Sequence, residues 1–382
     1  MKIIFRISKL GFGGAEQVFI SVARELSKTH PITIIFAVDS EQGDNVTHVK
    51  SLGFEVVSLN ASRTLNSIVP LAKLITKEKP DVVISAYTDT NAACLLSKVI
   101  ARYKVPVIVS EHAALNEHWQ FKSNSKKKVL RFYVGWVYKL ADKVLCVSKG
   151  LEQQVNLLLK QPSKTLTIYN PVRFNGSFNK GLKNENDEKN ETQVIKNIES
   201  ARVLRLVAVG RVVPQKDYST LIKAISIIKQ QQNVHLNIVG GTTDKKEFNK
   251  VKSLVAEYGL EKTIEFVGYS DAVETYYKKA DVFVLSSAWE GFGNVIVEAM
   301  SFGLPIVSTN CNYGPAEILI DGKYGRLAEV GDSESLAKII IKEALDPLVT
   351  GETLIKRSKD FSEEIIASQY YELINEVIKH DS

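Results

Sequence analysis

Val282-Phe283-Val284-Leu285 is a short apolar run, and soon after it comes Glu290-Gly291-Phe292-Gly293-Asn294-Val295-Ile296-Val297-Glu298-Ala299-Met300. The run has the length and β-branched character of a strand buried on both faces. The two glycines mark a turn, and Ile296, Val297 and Met300 then recur at helical spacing up to about Phe302. Strand, glycine turn and helix in that order form one unit of a parallel α/β sheet.

The same alternation extends in both directions. Upstream in the same half it predicts strands at Val203–Val209, Val234–Val239 and Ile264–Val267, and downstream one at Pro305–Ser308. In the first half it predicts Ile3–Ile7, Ile32–Val38, Glu55–Leu59, Val82–Ser85, Val107–Ser110, Lys143–Val147 and Leu166–Ile168. Amphipathic stretches such as Ala15–Ser27 and Ile68–Lys77 lie between them. From Gly176 to Ser200 the chain is rich in Asn, Lys and Glu and has little to bury, so it reads as a polar linker or surface excursion. The expected organisation is an N-terminal α/β domain over 1–172, a polar segment over 173–200 and a second α/β domain over 201–361. A C-terminal helix over 362–382 is expected to pack back toward the N-terminal domain. Ligands of open parallel sheets sit at the carboxyl ends of the strands, so two such domains facing each other would enclose a cleft.

Bulk properties narrow the function classes. At 382 residues the chain exceeds a single ordinary core. With 45% hydrophobic and 24% charged residues it has the composition of a globular protein. No apolar stretch is long enough for a spanning helix. Arg6 and Lys9 interrupt the opening apolar run, so the N-terminus reads as a first strand and not as a secretory signal. Cys94, Cys146 and Cys311 are odd in number and far apart, which fits a reducing cytoplasm and excludes a disulfide framework or zinc site. A net charge of +6 points to an acidic partner without choosing among phosphate, anionic lipid and nucleic acid.

Four features converge on a diphosphate-bearing ligand. Gly291 and Gly293 allow close backbone approach, and the amides of Gly291, Phe292, Gly293 and Asn294 open a helix, a ready anion site. Glu298 falls one turn beyond Asn294 on the same helical face. One acid in the loop and one on the helix suit a nucleotide-sugar, Glu290 at the hexose and Glu298 at the ribose. The spacing equally fits a glycine-opened helix with ordinary acids nearby. The second feature is Gly210-Arg211-Val212-Val213-Pro214-Gln215-Lys216-Asp217, between a strand and a helix that Asp217 can cap. Arg211 and Lys216 project there as two cations able to neutralise a diphosphate, or as two solvated surface charges. Third, Gly11-Phe12-Gly13-Gly14-Ala15-Glu16 opens the first helix but falls short of a dinucleotide fingerprint. Fourth, Ser110-Glu111-His112 closes a strand at its ligand edge. His112 could touch a sugar hydroxyl or stabilise developing charge, or serve only as a structural hydrogen bonder. No Asp-x-Asp pair, phosphate loop, HExxH or GxSxG occurs. Metal ligands and cofactor are therefore both expected to be absent, and protein cations and helix dipoles must carry the charge of a departing diphosphate.

These stretches resemble the retaining glycosyltransferases of family 4, built on the GT-B fold. Gly13-Gly14-Ala15-Glu16 is similar to the family's N-terminal glycine loop, and Ala141-Asp142-Lys143-Val144 through Ser148 to a further conserved segment. Tyr169-Asn170-Pro171-Val172 resembles the close of the first domain, and Gly210-Arg211 with Lys216 the diphosphate-binding pair. Glu290 to Glu298 matches the signature of two glutamates with seven residues between them, and Cys311 through Gly325 a motif around Gly314-Pro315 and Glu317-Ile318. Val239-Gly240-Gly241-Thr242 departs from the family by lacking an acid between glycines. The resemblance implies a donor site mainly in the C-terminal domain. Arg211, Lys216 and the amides of Gly14, Gly291, Phe292 and Gly293 would stabilise the diphosphate, and His112 would contact the donor sugar. It also implies same-face attack, with the leaving phosphate taking the acceptor's proton.

For the acceptor, Lys126, Lys127, Lys128 and Arg131 are interleaved with Phe132, Tyr133, Trp136 and Tyr138 on an expected helix. This suits peripheral docking to an anionic membrane, or a core-facing helix with a solvated basic end. Nucleic acid is not the expected partner. The expected activity is transfer of a hexose or N-acetylhexosamine, from uridine diphosphate by resemblance, to a polyprenyl-diphosphate-linked glycan at the inner face of the bacterial cytoplasmic membrane. A sugar-nucleotide 2-epimerase and a non-catalytic sugar-nucleotide sensor fit the same scaffold. A dinucleotide dehydrogenase fits less well, lacking an acidic ribose partner after the first glycine turn.

Overall fold

The computed structural model describes residues 1–11, 13–112, 114, 115, 123–173 and 203–380. They form two compact units. One holds Met1–Arg173 with the C-terminal segment from Phe361, and the other runs, in its described part, from residue 203 to Asp360. The polar stretch expected over 173–200 falls almost wholly outside the described residues.

In the first unit β1 (Lys2–Arg6), β2 (Thr33–Val38), β3 (Glu55–Ser58), β4 (Val82–Ala86), β5 (Val107–Glu111), β6 (Lys143–Cys146) and β7 (Thr165–Thr167) form one sheet. Its order is β3-β2-β1-β4-β5-β6-β7, and every pairing is parallel. Ile3, Phe5, Phe36, Val82 and Ile84 pack with helix Gly14–Thr29 into a core that helix Glu363–His380 completes through Ile366, Tyr370 and Ile374. Glu363 anchors that last helix by accepting hydrogen bonds from Ser21 and Arg24, and His30 stacks on Tyr371. The central strands β1, β4 and β5 are buried along almost their whole length, as in parallel sheets covered by helices on both faces.

The second unit holds β8 (Leu204–Val209), β9 (Val234–Val239), β10 (Ile264–Gly268), β11 (Val282–Leu285), β12 (Ile306–Thr309) and β13 (Arg326–Ala328). Its sheet is also parallel, in the order β10-β9-β8-β11-β12-β13. Strand β13 was not among those expected: three residues opening on Arg326 make no apolar run. The order reverses between β8 and its two neighbours, so the turns after β8 and β11 lie at a switch point where parallel sheets bind ligands. Those turns carry Arg211 and Lys216 on one side and Glu290 on the other. Among the described residues no helix is long and apolar enough to cross a membrane.

Candidate active site

After β8 the chain turns at Gly210, passes through the short turn Pro214–Lys216 and enters helix Tyr218–Lys229. Asp217 caps that helix, its carboxylate accepting from the backbone and hydroxyl of Thr220. The cap fixes where Lys216 leaves the backbone, and Ser286 adds a hydrogen bond to the Lys216 carbonyl at 2.8 Å. A Cβ on Gly210 would lie 2.7 Å from Cε of Lys216, so only glycine lets the lysine side chain fold back over the turn.

The ammonium of Lys216 donates to Oε1 of Glu290 at 2.6 Å. Ser287 donates to the same oxygen at 2.6 Å, and Gln215 Nε2 to Oε2 at 3.2 Å. Gln215 also holds the Trp289 carbonyl at 3.0 Å. The carboxylate is buried, and three donors from two different loops fix its orientation. The backbone of this loop is braced in turn. Glu290 N–H donates to the Asn312 carbonyl at 2.6 Å, and Gly314 packs so closely under Phe292 that a Cβ there would sit 1.8 Å from the Phe292 carbonyl oxygen. Thus the Gly314-Pro315 motif supports the glutamate loop from below.

Beyond the loop, Gly293 adopts φ of 100° as the N-cap of helix Asn294–Ser301. The positive end of that helix, which favours an anion, follows the loop directly. Glu298, one turn further, is partly buried and accepts from the Tyr277 hydroxyl at 3.1 Å. Burial raises its carboxyl above the ordinary carboxylate range, while the Tyr277 hydrogen bond and the charge of Lys216 pull it back down. Arg211 is exposed and takes part in no hydrogen bond or ion pair among the described residues. The two expected cations therefore differ: Lys216 is committed to Glu290, and Arg211 holds the uncommitted charge. The second unit brings together Glu290, Lys216, Arg211, the Gly291–Asn294 loop and Glu298. Gln215, Ser287 and Tyr277 went unnoticed in the sequence. The first two stand beside quoted residues, whereas nothing local marks Tyr277.

His112 and Gly14 belong to the first unit. His112 follows β5, with Nε2 2.9 Å from the Ser110 hydroxyl and a buried Nδ1 that finds no partner among the described residues. Burial pushes its imidazole down to about 3, so the ring is neutral at physiological pH and can offer one N–H but no fixed positive charge. Beside it Glu111 is fully buried, bonded by Tyr138, Asn91 and Thr88. Burial drives its carboxyl up to about 7 against those three bonds. Near Gly14 a carboxylate lies beside the start of the first helix. The Glu16 carboxylate folds back so closely that a Cβ on Gly13 would lie 2.2 Å from it, and Tyr87 donates to it at 2.6 Å.

Two family models match, Glycosyltransferase Family 4 over residues 12–175 and Glycosyl transferases group 1 over residues 189–364. The chain is a glycosyltransferase of the family 4 type. An α-1,4-N-acetyl-D-galactosaminyltransferase of Campylobacter jejuni, named for a GalNAc-containing diphospho-undecaprenol acceptor, is 28% identical over 99% of both chains. The lipopolysaccharide 1,6-galactosyltransferase of Escherichia coli is 24% identical over 96% of this chain and 95% of that protein. Among solved structures, Anabaena HepE in complex with UDP and glucose superposes with a TM-score of 0.79 at 20% identity, covering 98% of this glycosyltransferase and 99% of that chain. The two parallel-sheet units are those of the GT-B fold.

On the helix Asn124–Val137 of this glycosyltransferase, Lys128, Arg131, Phe132 and Trp136 are exposed, the two aromatic residues by 77% and 57%. Lys127 is half-buried, and the side chain of Lys126 lies outside the described residues. Residues 128, 132 and 136 follow one another at helical spacing and so share a face. The alternative of a core-facing aromatic helix holds for Tyr138, Val134 and Val137, which are buried, but not for Phe132 or Trp136.

Proposed function

We propose that this glycosyltransferase is retaining and metal-independent, moving a hexose or N-acetylhexosamine from a uridine diphosphate donor to a polyprenyl-diphosphate-linked glycan in surface polysaccharide synthesis. The observation that carries the reading is the buried Glu290 carboxylate, clamped by Lys216, Ser287 and Gln215 beside the start of helix Asn294–Ser301. A diphosphate seated at that helix start neighbours the Lys216 ammonium, and exposed Arg211 supplies a second cation. As the anomeric C–O bond breaks, negative charge grows on the leaving oxygen and positive charge on the sugar ring. Preorganised donors on the first and a fixed carboxylate facing the sugar lower that barrier. The acceptor hydroxyl attacks from the face the diphosphate leaves, its oxygen bonding to the anomeric carbon while its proton passes to the departing phosphate. The products are the glycosylated acceptor and the nucleoside diphosphate.

Names of the relatives support the acceptor class, since the Campylobacter protein is named for a diphospho-undecaprenol acceptor. The uridine base is supported by the Anabaena structure, solved with UDP. The exposed Lys128, Arg131, Phe132 and Trp136 supply a surface for docking to the inner face of an anionic membrane, where such an acceptor resides.

The deciding measurement is turnover of UDP-glucose, UDP-galactose and their N-acetyl forms with an undecaprenyl-diphosphate glycan, with and without EDTA. Transfer with retained anomeric configuration in EDTA is the expected result. Abolition by EDTA, inverted product, or conversion of the donor to its 2-epimer without acceptor would each overturn the reading.

A further inference from the structure

Glu298 presents two carboxylate oxygens in unlike states. Oε2 accepts from Tyr277 at 3.1 Å. No hydrogen bond among the described residues reaches Oε1, and Glu298 is only partly buried. Tyr277 itself is buried. Its ring stacks on Phe302 at 5.4 Å and leans on Phe283 at 6.1 Å, and its hydroxyl has Glu298 as its hydrogen-bond partner among the described residues. Helix Val273–Lys279 contributes the tyrosine, β11 contributes Phe283, and the end of helix Asn294–Ser301 contributes Phe302. A side chain wedged between rings from separate elements keeps one rotamer, so the hydroxyl stays where it is whether or not a ligand is bound.

We infer that Tyr277 is a positioning residue for the ribose subsite: by occupying Oε2 it turns the free Oε1 of Glu298 toward the nucleotide diol and sets the enzyme's preference for ribose over 2′-deoxyribose. The inference rests on the assignment of Glu298 to the ribose made above. Chemistry requires such a device. A carboxylate with both oxygens free rotates and hydrates, and each rotamer lost on binding weakens the complex. With Oε2 tied, the remaining oxygen is a preoriented, charge-assisted acceptor for a hydroxyl. The same hydrogen bond opposes the rise that burial imposes on the Glu298 carboxyl. Other charged or titratable groups bearing on this pair are Lys216, from the turn before helix Tyr218–Lys229, and Tyr218, the first residue of that helix. The family signature holds Glu298 but does not contain Tyr277, which lies outside every motif quoted from the sequence.

The test is titration calorimetry of the full chain with UDP and with 2′-deoxy-UDP, for wild type and Tyr277→Phe. Phenylalanine keeps both ring contacts, and circular dichroism and the thermal midpoint check that the fold is intact. The expected result is that Tyr277→Phe weakens UDP roughly three- to tenfold, the worth of one hydrogen bond to a charged partner, and changes 2′-deoxy-UDP by less than about twofold. Ribose discrimination then collapses. Donor KM should rise with kcat nearly unchanged, as for a contact made equally in the ground and transition states. Equal weakening of both nucleotides would show a merely structural role, and unchanged discrimination would show none. Either result overturns the inference. Failure of the underlying reading is told apart by the wild type: no binding of UDP, or equal binding of the two nucleotides, removes the ribose assignment of Glu298 and this inference with it.

Discussion

The ammonium of Lys216 lies 2.6 Å from Oε1 of Glu290, although the two residues are 74 positions apart in sequence. This ion pair joins the turn after β8 to the turn after β11. It also means that the site without donor is less positive than its count of cations implies. Glu290 offsets one of them, and the donor must compete with the carboxylate for Lys216.

Lys216→Ala should lower kcat at least about tenfold, since loss of one donor to a developing anion costs a few kcal/mol. It should also destabilise the second unit, because it leaves a buried carboxylate without its cation. Roughly 2–3 kcal/mol is expected, below the figure for a fully buried pair because Lys216 retains some exposure. Lys216→Ala combined with Glu290→Gln should regain most of that stability and none of the activity. Denaturant unfolding and initial rates on the three variants measure both effects, and additive stability losses would show that the pair is not coupled.

Arg211 offers the contrast. Exposed and without a partner in the described structure, it should be replaceable by alanine with less than about 0.5 kcal/mol of stability change, yet the donor KM should rise. The rise should shrink in high salt, where wild type loses the same attraction to screening. Steady-state kinetics across a sodium chloride series would reveal it, and a salt-independent KM ratio would remove Arg211 from the donor site.

Gly314→Ala is expected to collapse the glutamate loop. Its φ is 98°, and the added carbon would meet the Phe292 carbonyl oxygen at 1.8 Å. Gly331→Ala is the control, with φ of 81° but open space around the new methyl. Both carry the left-handed penalty of about 1–2 kcal/mol, but only Gly314→Ala should lose UDP binding by thermal shift as well.

Glu111 gives a pH dependence. Burial raises its carboxyl to about 7 in the folded chain from an ordinary value of 4.5. Between those values the folded chain keeps the proton and the unfolded chain releases it, so this group makes stability fall as pH rises through that window. His112 acts oppositely: with its ring lowered to about 3 from 6.5, it makes stability rise with pH up to its unfolded value. Comparing wild type with Glu111→Gln cancels the histidine. The thermal midpoint of Glu111→Gln, relative to wild type, should therefore increase from about pH 4.5 to about pH 7. A difference that does not vary with pH would show that Glu111 titrates normally.

Much of this architecture was readable before any coordinates. Val82–Ala86 and Val282–Leu285 are unbroken apolar runs because helices cover both faces of a parallel sheet, and that burial leaves its mark on every residue. Strand β13 escaped because three residues beginning with arginine carry no such mark. The glutamate signature and Gly210-Arg211 were likewise visible, since close backbone approach demands glycine at fixed positions.

Sequence alone therefore determined the two parallel α/β units and the turns that bear Arg211, Lys216, Glu290 and Glu298, because periodic burial and backbone sterics act locally and are written in neighbouring residues. Tertiary structure alone decided which side chains meet: Gln215 and Lys216 around Glu290, Tyr277 beside Glu298, and Tyr87 on Glu16. Hydrogen bonds spanning such separations leave no period in the chain, because their geometry exists only once the sheet has brought the strand ends together.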